Sequence, residues 1–173
     1  RRLAEWLPQE TILFDGARLR RKTEADVAPG GRLLALEMVV FGRIARGEAF
    51  RRGLLTDDWR IRVGGRLVWA DALRLEEPMA PLFDAPAGLA GARAMATLVL
   101  VGGDGAAARD AVREVAEGAP DVRIGASVVG PVMVARFLGA DARNLRSAVI
   151  GAVGAVRSRL AGLPHRLPEL WYG

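Results

Sequence analysis

The chain has no cysteine, one histidine and one lysine among its 173 residues. Without cysteine there is no disulfide framework, no thiolate metal site, no iron–sulfur cluster and no Cys nucleophile. The lone His165 excludes a zinc site built from several imidazoles within this chain. It also leaves little material for a nucleophile–base triad, and Ser127, Ser147 and Ser158 lack any nucleophile-elbow context. No apolar run is long enough to span a bilayer, and Arg1-Arg2 leads to Glu5 instead of a signal-peptide core. The expected location is therefore cytoplasmic, with no membrane partner. The chain starts at Arg1 in mid-pattern, so further residues are expected ahead of it.

What the sequence does have is arginine. Every basic residue except Lys22 is Arg, and 25 cations against 20 anions give a net charge of +5. All of that excess falls within residues 1–75, while residues 76–173 balance. A basic patch suits nucleic acid or an acidic protein partner. There is no Lys-rich run and no aromatic residues interleave with the basic ones, so nucleic acid is not the expected partner. A basic nucleic-acid-binding module stands as an alternative. A chain of this length buries about 70% of its unfolded surface, enough for a real core in one or two domains.

Periodicity divides the chain. Residues 1–75 read as a β-rich region, 76–91 as a Pro/Gly-rich connection and 92–173 as an α+β region. From Arg18 to Val27 the pattern alternates, with Leu19, Thr23, Ala25 and Val27 on one face and Arg21 intruding among them. This predicts a strand covered on one side, in an antiparallel sheet. Leu33 to Phe41 is apolar except for Glu37, which predicts a strand buried on both faces in the middle of its sheet. Gly64-Gly65 predicts a two-residue hairpin pairing Ile61 with Val68, Arg60 with Trp69 and Trp59 with Ala70. Arg60 would then stack on Trp69 at a rim or interface. Beyond the connection, strands are predicted at Ala94–Val101, Val122–Val129 and Val132–Leu138. Helices are predicted at Ala106–Glu117, with Asp104 as cap, and from Asp141 or Ala142 to Leu160. The stripe Leu145, Val149, Val153, Val156, Leu160 defines one face of the second helix. The order βαββα resembles most of a ferredoxin-like split unit lacking its last strand.

Chemistry-bearing constellations are few. Gly102-Gly103-Asp104-Gly105 lacks the Lys-Ser/Thr of a P-loop and reads as a strand-to-helix turn. His165 reads as an exposed tail residue, and Asp15 and Asp71 as turn or strand-end residues. Glu37 is different, because a charge in a doubly buried strand needs a partner. An Arg pairs it, or it lines a wet cavity, or it binds a cation. Glu48, on the Gly-bounded turn after that strand, either faces the same place or is solvated. An acid/base pair of Glu37 and Glu48 in a small hydrolase is the less favoured enzymatic alternative. Arg43, Arg60 and Trp69 are the interface candidates.

Two longer segments carry a family likeness. Trp6-Leu7-Pro8-Gln9-Glu10-Thr11-Ile12-Leu13-Phe14-Asp15-Gly16-Ala17 and Leu36-Glu37-Met38-Val39-Val40-Phe41-Gly42-Arg43, followed by Arg46-Gly47-Glu48, resemble the urease accessory proteins of the UreD (UreH) family. Arg74 and the closing Pro168-Glu169-Leu170-Trp171-Tyr172 resemble it too. The resemblance covers the whole chain but only the later part of the family, so the N-terminal strands of the family fold are missing. It implies an α+β, β-rich fold with stacked, solenoid-like sheets in the first half and a βαββα-like C-terminal part with two helices. It also implies a non-enzymatic scaffold and nickel-passage chaperone. Its partners would be UreF, the GTPase UreG and the urease apoprotein subunits, in assembly of the nickel metallocentre. No tightly bound cofactor is implied. Nickel would be in transit, with Glu37 and Glu48 as the carboxylates suited to its route.

Overall fold

A computed structural model describes residues 3–172. The elements are β1 (Leu3–Trp6), β2 (Thr11–Leu13), β3 (Arg18–Val27), β4 (Arg32–Phe41), β5 (Leu54–Val63), β6 (Arg66–Glu76), α1 (Met79–Asp84), β7 (Ala94–Val101), α2 (Gly105–Glu117), β8 (Val122–Val129), β9 (Val132–Gly139) and α3 (Ala142–Ala161). The fold is α+β and β-rich. Among the described residues no helix is long and apolar enough to cross a membrane.

The apolar run at residues 33–41 does what its composition demands. β4 lies inside the larger sheet, ordered β1-β4-β7-β9-β8, and is buried over almost its whole length. Its even-numbered residues Leu34, Leu36, Met38 and Val40 pack under α2 and α3. Its odd-numbered residues face the other way, toward the smaller sheet β3-β5-β6. Alternation along one strand thus feeds two cores, and the molecule is layered as helices, larger sheet and smaller sheet. The larger sheet takes strands from both sides of residues 76–91.

β1 and β2 both run parallel to β4 along the same edge, and the partner offset changes by one residue between them. Pro8, which has no N–H to donate, sits in that break. The smaller sheet departs from its expected geometry. β3 runs parallel to β5, so the antiparallel expectation for Arg18–Val27 is corrected. Parallel pairing is possible because the 28–53 segment carries the chain through β4 before β5 returns alongside β3. One-sided cover does hold: β3 alternates exposed and half-buried along its length.

The hairpin turns at Gly64-Gly65, and both glycines have positive φ. Its register shifts between Ile61 and Arg62, so Ile61 pairs with Trp69, Arg60 with Ala70 and Trp59 with Asp71. The extra residue is Val68, a bulge that no turn chemistry announces. The expected stacking of Arg60 on Trp69 is therefore absent. Trp69 turns inward against Trp59 at 5.7 Å, while the Arg60 guanidinium donates to the Trp59 and Asp71 carbonyls.

Both long helices start at side-chain caps, Asp104 as expected and Asp141, which precedes the helix. The Asp104 carboxylate accepts from the Ala107 N–H and that of Asp141 from the Asn144 N–H. Leu145, Val149, Val153 and Val156 are all buried against the larger sheet. The 76–91 connection has more regular structure than its Pro/Gly content suggests. It holds α1, whose Met79 and Phe83 complete an apolar cluster with Phe41 and Phe50 at one end of the inter-sheet core.

Candidate functional site

The inter-sheet core is not continuous. One apolar cluster gathers Ala35, Trp59, Ile61, Val99, Val101, Val132 and Val134. Another gathers Val39, Phe41, Leu55, Leu75 and Phe83, with Leu138 packed against it. Between them, six of the strands each place one polar residue toward the inter-sheet space. Glu37 lies between Ala35 and Val39, Thr97 between Met95 and Val99, and Arg136 between Val134 and Leu138. In the smaller sheet Asp57 lies between Leu55 and Trp59, Arg21 between Leu19 and Thr23, and Asp71 between Trp69 and Leu73. Register accounts for the alignment: Glu37 stands opposite Thr97, Thr97 opposite Arg136, and Arg21 opposite Asp57. Asp71 stands two residues out of step, opposite Trp59, and β8 offers only Gly125 at this level, so the result is a polar belt through the middle of the sandwich.

The belt contains two ionic groups. In the first, the Arg21 guanidinium grips Asp57 with two bonds, Nε to Oδ1 at 3.1 Å and Nη2 to Oδ2 at 2.6 Å. Its Nη1 reaches Glu37 Oε2 at 2.7 Å and donates to Thr11 Oγ1 at 3.3 Å. The Trp6 indole N–H donates to Glu37 Oε1 at 3.5 Å. In the second, Arg136 donates to Asp71 Oδ2 at 2.6 Å and to Thr97 Oγ1 at 2.9 Å, with Trp69 beside it. Three carboxylates therefore share two guanidinium groups, leaving the belt net negative.

Glu37 is only 7% exposed. Burial pushes its carboxyl above its ordinary value, Arg21 and the Trp6 N–H pull it back, and the nearby Asp57 charge pushes it further up. For Arg21, burial works against the charge. The Asp57 hydrogen bond and the charges of Glu37 and Asp57 outweigh it, so the guanidinium is held above its ordinary value.

The other predicted residues lie elsewhere. Gly42 takes φ +88° and its backbone packs so closely on the Glu48 carbonyl that a side chain there would clash. That turn carries Glu48 to an ion pair with Arg43, whose hydrogen bond holds the Glu48 carboxyl below its ordinary value. Arg43 also lies over the Phe14 ring at 4.2 Å. Glu37 and Glu48 thus answer to different arginines. Among the described residues no three His, Asp or Glu side chains converge as a metal-binding group. Asp15 does not bond its own turn; it accepts from the Arg51 and Arg52 N–H groups and ties down that loop. Asp71 is no mere strand end, since it holds Arg136. His165 is exposed, as expected, with its backbone close against Gly154 of α3.

Reasoning from the sequence finds Glu37 and flags Arg21 as an intruder, yet misses Asp57, Asp71, Thr97 and Arg136. One signal was available: Arg136 interrupts the apolar run of β9 just as Glu37 interrupts that of β4.

Comparison with known proteins adds an independent line. The profile of the family described as UreD urease accessory protein matches residues 3–172. A urease accessory protein UreD of Magnetococcus marinus is 47% identical over 171 residues, covering 96% of this chain and 59% of the relative. That of Granulibacter bethesdensis is 44% identical over 168 residues, covering 96% and 69%. That of Azorhizobium caulinodans is 42% identical over 167 residues, covering 96% and 59%. The chain thus spans 59–69% of the length of these relatives.

Proposed function

Because the chain belongs to the UreD family of urease accessory proteins, we propose that it acts in urease maturation as a scaffold and nickel-passage chaperone. Its partners in this reading are UreF, the GTPase UreG and the urease apoprotein, and it performs no catalysis of its own. The observation that supports passage is the polar belt, an acidic seam through an otherwise apolar sandwich. Oxygen-only carboxylate groups bind a borderline divalent ion weakly, and weak sites release their cargo where a tight one would trap it. Glu37 is the belt residue proposed to meet the ion, exchanging its contact with Arg21 while Asp57 keeps the guanidinium neutralised. Glu48, beside Arg43 on the turn after β4, is the second carboxylate proposed along the route.

Glu37→Gln keeps the shape and removes the charge. Placed in the urease operon, the variant is expected to assemble the accessory complex in normal yield and to leave urease depleted of nickel. Complex yield and urease nickel content are measured from the same cells. Full nickel loading by Glu37→Gln and Glu48→Gln, singly and together, would sink the passage role.

A further inference from the structure

On the helix side of the larger sheet, the β4 residues share a core with α3, Leu167 and Trp171, while Ile12 of β2 is left open. Around Ile12 lies a cleft of about 710 Å³. Its apolar residues are unusually open, Ile12 and Ile44 being 48% exposed and Phe14 49%. Single exposed apolar residues are ordinary; here three line one cleft, and its basic rim adds a second feature. The rim is basic, with Arg46, Arg93 and Arg143 around it. The acidic groups in the same lining are already engaged: Glu10 by Arg146 at 2.7 Å, and Asp141 by the Asn144 N–H at 2.8 Å. The side chains of Arg46 and Arg143 make no hydrogen bond or ion pair to any described residue. β2 pairs only with β4 among the described residues, which leaves its outer main-chain edge open as well.

We propose that this cleft docks an extended segment of a partner protein in which Asp or Glu residues flank an apolar side chain. The apolar floor takes the side chain, Arg46 and Arg143 take the carboxylates, and the β2 edge offers main-chain hydrogen bonds. Nucleic acid suits the cleft less well. It holds a single aromatic ring, Phe14, with Arg43 over one face, and the rest of the floor offers aliphatic contact where bases need stacking partners. The proposal goes beyond the urease reading and stands apart from it, since neither nickel nor the polar belt enters.

The test pans short random peptides displayed on phage against the 173-residue chain. Panning is repeated on two surface variants, Ile44→Asp and the double reversal Arg46→Glu/Arg143→Glu. Thermal unfolding verifies that both variants fold like the parent. Enriched peptides are expected to carry acidic residues around an apolar one. A labelled peptide from the enrichment should bind at least about tenfold more weakly to each variant, and more weakly as salt rises. Three results would overturn the proposal: no acidic–apolar enrichment, binding that ignores both variants, or a DNA duplex or phosphatidylglycerol vesicle that binds through the arginines and is indifferent to Ile44→Asp.

Discussion

Arg21 is one cation facing two buried carboxylates, and the balance of charge around it decides what each substitution costs. Removing Glu37 leaves Arg21 still paired with Asp57, so Glu37→Gln is expected to fold. Arg21→Met does the opposite and strands Glu37 and Asp57 without a cation. Breaking a buried ionic group in this way costs about 3–5 kcal/mol. The loss should depend on pH, and its sign follows from Glu37. Because burial raises its folded value above the unfolded one, its stabilising contribution is full below the ordinary glutamate range and is lost as pH rises through the raised value. Losing Arg21 raises that value further, so the deficit of Arg21→Met is largest at neutral pH and shrinks toward acid. Urea unfolding of parent and variant at about pH 5 and pH 8 measures it. A deficit that does not change with pH would mean that the carboxylates are not buried as described.

At the scale of elements, α3 is the seam that locks the helix layer to the larger sheet. Val153 is wholly buried there, so Val153→Asp places an unpaired carboxylate in a close-packed interface. It should cost roughly 3 kcal/mol or more, read as a lower denaturant midpoint. Gly154, its neighbour, tests a different contact. A methyl group at Gly154 would collide with the His165 carbonyl oxygen and imidazole. Gly154→Ala should therefore displace the C-terminal tail at a cost of about 1–3 kcal/mol, with faster proteolysis after residue 162 as the local sign. These elements were also the most legible in the sequence, because side-chain caps and a long apolar stripe are local signals. β7, read as Ala94–Val101, has those bounds in the structure. β1 and β2 carry no such local signal: they are short, mixed in polarity and split by Pro8, and only their pairing with β4 makes them strands. α1 was hidden by the prolines around it. The parallel partner of β3, the Val68 bulge and the Asp57–Arg21–Glu37 group all depend on which strands meet, and no local pattern carries that information. The site was half legible for the same reason: a misplaced charge shows in one strand, its partner only in another.

At the scale of the molecule, the two sheets end in four edges that are protected unequally. β3 is long, but Arg20, Lys22, Glu24 and Asp26 line its exposed positions. β6 carries Arg66, Arg74 and Glu76, and the β1–β2 edge is short and broken at Pro8. Charges and prolines of this kind discourage strand-to-strand association. β8 is protected over its first half, where Arg123 bonds the Leu89 and Ala90 carbonyls and Arg113 covers the Ala126 carbonyl, but not at its far end. It runs unbroken over eight residues, pairs only with β9 among the described residues, and ends in exposed Val128 and Val129. Leu67 of β6 is exposed as well. The net charge of +5 opposes association but is concentrated in residues 1–75, away in sequence from β8. The isolated chain is therefore expected to self-associate as concentration rises, and β8 is the edge expected to mediate it. Sedimentation velocity across a concentration series should show the weight-average coefficient climbing for the parent. Val129→Lys puts a charge on that edge and should flatten the climb, while Ile12→Lys at the opposite end should not. A parent that stays monomeric at every concentration would refute the edge argument. Equal association by Val129→Lys would move the contact to another surface.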